Sequence, residues 1–75
     1  MKKPITLGRV ANKIPGNQHI MVRDYLSGVH YADDATCKVI DKVIDYRQDL
    51  RNAAVYGISI EGNNILVIDV LIDNE

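Results

Sequence analysis

The eight residues Ile65-Leu66-Val67-Ile68-Asp69-Val70-Leu71-Ile72 carry one charge and are rich in β-branched side chains. Side chains alternate across a strand, so Leu66, Ile68, Val70 and Ile72 share one face while Ile65, Val67, Asp69 and Leu71 share the other. Both faces are mostly apolar. Such a segment belongs inside a sheet, with one face beneath the chain's own helices and the other in need of a cover. The chain has 75 residues, a single domain near the size at which one core just suffices. Every other element is therefore expected to serve this strand.

Thr6 can cap a helix whose apolar residues Leu7, Val10, Ala11 and Ile14 fall at i, i+3, i+4 and i+7, before Pro15-Gly16 stops it. Gly8 in that helix reflects either a tolerant first turn or a close approach of the backbone to the sheet. From Gln18 to Asp24 the pattern alternates, and it resumes at Val29-His30-Tyr31 after the turn Tyr25-Leu26-Ser27-Gly28. Placing Asp24 opposite Val29 gathers Ile20, Val22, Val29 and Tyr31 on one face. A second helix is expected to begin at Asp33-Asp34, burying Val39, Val43, Tyr46 and Leu50 with Ile40 and Ile44 beside them. Tyr56, Ile58 and Ile60 then alternate with Gly57, Ser59 and Glu61, and Gly62-Asn63-Asn64 tolerates the positive φ of a hairpin turn. A three-residue loop pairs Glu61 with Ile65 and sets Tyr56, Ile58 and Ile60 on the face of Leu66, Ile68 and Val70. The predicted architecture is an α+β domain over residues 1–75, ordered α-β-β-α-β-β. Its sheet has four strands, is mostly antiparallel and carries both helices on one face. The last strand is expected inside the sheet, beside the Gln18 strand.

Composition narrows the class. The hydrophobic fraction of 47% is ordinary, and no apolar segment has the length of a membrane span. The basic start Met1-Lys2-Lys3-Pro4 is followed by Gly8, Arg9, Asn12 and Lys13 in place of the apolar block of a secretory signal. A lone cysteine, Cys37, suits a reducing compartment. These features predict a cytoplasmic protein without a membrane partner. The net charge of −1 hides an asymmetry: residues 1–23 carry +5 and residues 24–75 carry −6. The two halves are expected to offset each other, or else Arg9, Lys13 and Arg23 form an anion-binding or nucleic-acid-binding patch. A pI of 6.0 and the lack of Trp and Phe argue against the stacking platforms of single-strand binders.

The pattern Leu7-Gly8 through Ile14-Pro15-Gly16, then Ile20-Met21-Val22-Arg23-Asp24, a turn and Tyr31, and finally Ile58-Ser59-Ile60-Glu61-Gly62-Asn63-Asn64-Ile65-Leu66-Val67-Ile68 resembles small uncharacterised proteins carried by phages and prophages of Gram-positive bacteria. The resemblance spans nearly the whole chain and brings no catalytic residue with it. It implies a mobile-element origin, a setting in which small accessory proteins act by binding host machinery, anti-defence (anti-CRISPR-like) inhibitors among them.

Chemistry-bearing motifs are sparse. The sequence has no phosphate loop, dinucleotide fingerprint, His-Glu-x-x-His or calcium loop, so no catalytic, cofactor-binding or metal-binding residue is assigned and no enzyme is predicted. In the chosen register His19 and His30 lie too far apart along the hairpin to share an ion, and they read as half-exposed sheet residues. Cys37 reads as a small apolar filler. Asp41, Asp45 and Asp49 form a row at i, i+4 and i+8, a solvated face that a basic partner could read as a phosphate mimic. The feature weighted most is the helix-free side of the sheet, where Ile65, Val67, Leu71 and Met21 lie inside a border of Asp69, His19, Arg23 and His30. Burying each aliphatic there is worth about 1.5–3 kcal/mol, counted twice in a two-fold dimer, against an association cost of about 4–15 kcal/mol. The expectation is a protein-binding domain, dimeric or docked on a host protein, through Ile65, Val67, Asp69, Leu71 and Met21 with Asp41, Asp45 and Asp49 alongside.

Overall fold

The computed structural model describes residues 5–72. In chain order the elements are α1 (Leu7–Ala11), β1 (His19–Asp24), β2 (His30–Thr36), α2 (Cys37–Asp45), α3 (Gln48–Arg51), β3 (Ala54–Glu61) and β4 (Ile65–Leu71). The strands form one sheet in the order β2-β1-β4-β3. The apolar β4 sits inside it, beside β1. Two of the three pairings are antiparallel, whereas β1 and β4 run parallel, with Ile20 opposite Leu66 and Val22 opposite Ile68. The sheet is therefore mixed, and three helices stand where two were expected.

All three helices cover the same side of the sheet. Leu7 and Ala11 of α1, Cys37, Ile40 and Ile44 of α2 and Leu50 of α3 join Ile20, Val22, Ile68 and Val70 in one buried cluster. Thr6 caps α1 as its position predicts, its Oγ1 accepting from Arg9 N at 3.4 Å. Val10 and Ile14 complete the predicted stripe against the core. Of the two explanations for Gly8, close approach holds, but the neighbour is α3 and not the sheet. A Cβ on Gly8 would lie 2.8 Å from Arg51 Cγ and 3.3 Å from Arg51 O. The Arg51 guanidinium in turn holds Asp45, Nη1 to Oδ1 at 2.7 Å. Gly8→Val should accordingly lower the stability by about 1–3 kcal/mol in urea unfolding, because overpacking outweighs the better helix propensity of the larger residue.

The second helix departs from its sequence reading at both ends. Asp33 and Asp34 lie in β2 and do not begin the helix. Both carboxylates are taken up along the strand: Asp34 Oδ1 is 2.6 Å from Nδ1 of His19 on β1, and Asp33 Oδ1 is 2.6 Å from His30 Nδ1. Thr36 stays extended, and α2 begins at Cys37, whose N–H donates to Gln18 O at 2.8 Å. Register shifts on either side of Val22 set Ala32 and Ala35 opposite Val22 and Ile20. Tyr31 still packs on the core, but Val29 is exposed. At its other end α2 stops at Asp45, and Arg47 leaves helical geometry with φ −124° and ψ 81°. Once the chain is redirected there, Leu50 reaches the core from α3 and need not share a line with Val39. Cys37, Ile40 and Ile44 form the inward line of α2, while Val39, Val43 and Tyr46 are 50%, 44% and 89% exposed.

The closing hairpin follows its predicted register. Glu61 pairs with Ile65, Ile60 with Leu66 and Ile58 with Ile68. The three-residue turn between them holds Gly62 and Asn64 at φ 54° and 68°, values that glycine and asparagine accept most easily. The exception is Tyr56. A bulge between Val55 and Gly57 displaces it from the row of Ile58 and Ile60, and it stacks instead on Tyr25, which follows β1, with ring centroids 4.8 Å apart.

Candidate functional site

The two edges of the sheet are built differently. Edge strand β2 carries the exposed Asp33 and Asp34 and two register shifts, both of which discourage pairing with another strand. Edge strand β3 has the sequence Ala-Val-Tyr-Gly-Ile-Ser-Ile-Glu, with one charge at its far end. Its first rungs are occupied. Thr6 bridges Ala54, Leu7 N donates to Ala53 O at 3.0 Å, and Val55 N donates to Ile5 O at 2.8 Å. Beyond Val55, no strand among the described residues pairs with the outer edge of β3.

Large apolar side chains collect along this same edge. The helices end short of β3, with α2 lying against β1 and β2, so Ile58 and Ile60 stay 52% and 66% exposed on the side that β4 buries. Ile5, bonded to Val55, and the stacked pair Tyr25 and Tyr56 are each more than half exposed as well. An open ladder with an aliphatic flank can accept a further strand: the backbone supplies hydrogen bonds and the isoleucines supply apolar contact. Alternation in the sequence assigns Ile58 and Ile60 to the core and so hides this surface. The available signal was the shortness of two helices asked to cover four strands.

The helix-free side of the sheet is less open than its composition suggests. Val67, opposite Met21 on one neighbour and Ser59 on the other, is fully buried. Ile65, Leu71 and Met21 are half-buried. Arg23 spans the same side as a fork, Nε to Asp69 Oδ1 at 2.7 Å and Nη2 to Asp69 Oδ2 at 3.3 Å, with Glu61 Oε2 3.9 Å from Nη1. Hydrogen bonding and charge attraction from Asp69 push the Arg23 guanidinium further above its ordinary pKa. Parallel pairing creates this contact by setting Arg23 directly opposite Asp69.

The remaining sequence-derived residues are dispersed. Arg9 and Lys13 are exposed on and just after α1, on the helix-covered side, so Arg23 stands across the sheet from them. The acidic row is interrupted by the break after α2: Asp45 is held by Arg51, and Asp49 by Arg47 Nη2 at 2.9 Å. Hydrogen bonding to Arg47 holds the Asp49 carboxyl below its usual range. Asp41 is half-buried at the mouth of a pocket of about 260 Å³ between α1 and α2. Cys37 lines that pocket, its Sγ donating to Ala11 O at 3.4 Å, and burial pushes the thiol pKa up, away from nucleophilic character. The two histidines contact different aspartates, and no group of three metal-ligating side chains occurs among the described residues.

No family model, curated protein or solved structure matches the chain. No helix among the described residues is long and apolar enough to cross a membrane.

Proposed function

We propose that this chain is a small non-enzymatic protein-binding domain of phage type, which inhibits a host complex by docking the β3 edge and its aliphatic flank on a protein of the host cytoplasm. One observation carries the reading: of the ten large hydrophobic residues exposed among the described residues, five, Ile5, Tyr25, Tyr56, Ile58 and Ile60, lie on β3 or against it. That density on an edge strand with an unpaired ladder marks an interaction surface. The half-buried Met21, Ile65 and Leu71 continue it around the far side of β4. The inhibitory role follows from the resemblance to phage and prophage proteins. The anion-binding alternative is weaker, because Arg23 is committed to Asp69 and lies across the sheet from Arg9 and Lys13.

The test is capture from a Gram-positive lysate with the immobilised full chain. Ile58→Lys with Ile60→Lys should remove the captured protein, and Arg9→Ala with Lys13→Ala should leave it in place. The opposite pattern, or retention dominated by nucleic acid and lost with added salt, would overturn the reading in favour of the basic patch.

A further inference from the structure

The open edge is also self-complementary. We propose that its occupant in the free protein is a second copy of this chain, with two β3 strands pairing antiparallel about a two-fold axis at Ser59. This deepens the protein-binding reading and rests on it, since both use the same strand.

The register follows from the sequence of the strand beyond its bulge. With Ser59 on the axis, Ile58 of each copy faces Ile60 of the other, and four half-exposed isoleucines meet on the helix-bearing side of the sheet, past the point where the helices end. Glu61 falls opposite Gly57, the rung without a side chain. The two glutamates lie at opposite ends of the shared ladder, about 14 Å apart at roughly 3.4 Å per residue. No like charges oppose each other. A slip of one residue would set Ile58 against Ser59 and divide the isoleucines between the two faces.

Closure also favours a second copy. Joining β3 of one molecule to β2 of the next would propagate without end, whereas joining β3 to β3 stops at two. The β2 edge, with Asp33, Asp34 and its irregular register, is unsuited to the propagating arrangement. The first rungs of β3 are taken by Thr6 and Ile5, so the shared ladder is Gly57 to Glu61 of each copy, and the four isoleucines supply its apolar contact.

The experiment has two arms. Sedimentation equilibrium of the full chain, from dilute to concentrated solution, should approach twice the single-chain mass of 8.4 kDa, and Ile58→Lys with Ile60→Lys should remain at the single mass while keeping its circular dichroism. In the second arm, Ser59→Cys should form an intermolecular disulfide under mild oxidation at least about tenfold faster than Asp33→Cys on the β2 edge. Paired residues across an antiparallel ladder stand about 4.5–5.5 Å apart, within disulfide reach. If the double lysine variant fails to fold, the cysteine arm decides alone. A single mass at every concentration, or cross-linking at residue 33 as fast as at 59, overturns the proposal. A monomer that still loses its lysate partner in the double lysine variant overturns the second copy and leaves the protein-binding reading standing. A dimer lost in that variant, with nothing captured from lysate, supports the two-fold and removes the host partner.

Discussion

Ile68→Ala is expected to lower the unfolding free energy by about 3–5 kcal/mol, the upper part of the range for truncating a buried isoleucine. Ile68 is fully buried on the inner strand, between Val22 of β1 and Ile58 of β3. Ile68 belongs to the one buried cluster to which the helices contribute, so the cavity left by truncation is walled by strands on two sides and opens into that packed core on a third. Collapse of such a site is restricted, which is why the cost belongs at the high end. A domain of this length has a total stability of about 4–11 kcal/mol, so this one change consumes a large share of it. Urea unfolding followed by far-UV circular dichroism measures the loss. A change below about 1 kcal/mol would mean that β4 is not the centre of the sheet.

The second large effect separates two lines on one helix. Ile44→Ala should cost about 2–5 kcal/mol, whereas Val43→Ala, one residue away, should stay within about 0.5 kcal/mol of the unmodified chain. Ile44 is fully buried and Val43 is 44% exposed. Read as an unbroken helix from Asp34, residues 34–50 present Val39, Val43, Tyr46 and Leu50 as the natural stripe. Broken at Arg47, they turn Cys37, Ile40 and Ile44 inward. The same unfolding assay distinguishes the two, and equal losses at 43 and 44 would restore the unbroken helix.

What could be read from the sequence was the local pattern and the role of the last strand. The interior place of β4, the Thr6 cap, the α1 stripe and the three-residue turn between β3 and β4 follow from apolar periodicity, a capping side chain and residues that tolerate positive φ. The features that escaped depend on contacts between residues distant in the chain. Asp34, with Asp33 beside it, resembles the acidic first turn of a helix until the β1–β2 pairing brings His19 within reach of Asp34. The fork of Arg23 on Asp69 requires the parallel pairing of β1 with β4, which no local pattern encodes. Ile58 and Ile60 look like core residues because alternation reports which face a side chain takes, while only the placement of the helices decides whether that face is covered.

The account depends on the β3 edge being open beyond its first rungs. Amide hydrogen exchange, resolved by residue in dilute solution where the chain is monomeric, tests this most directly. Amides of β4 from Leu66 to Val70, paired on both sides, should all be protected, whereas protection from Gly57 to Glu61 should alternate as only the amides directed at β4 are held. Uniform protection across those five residues would show that another part of the chain already closes the edge, and would contradict the account.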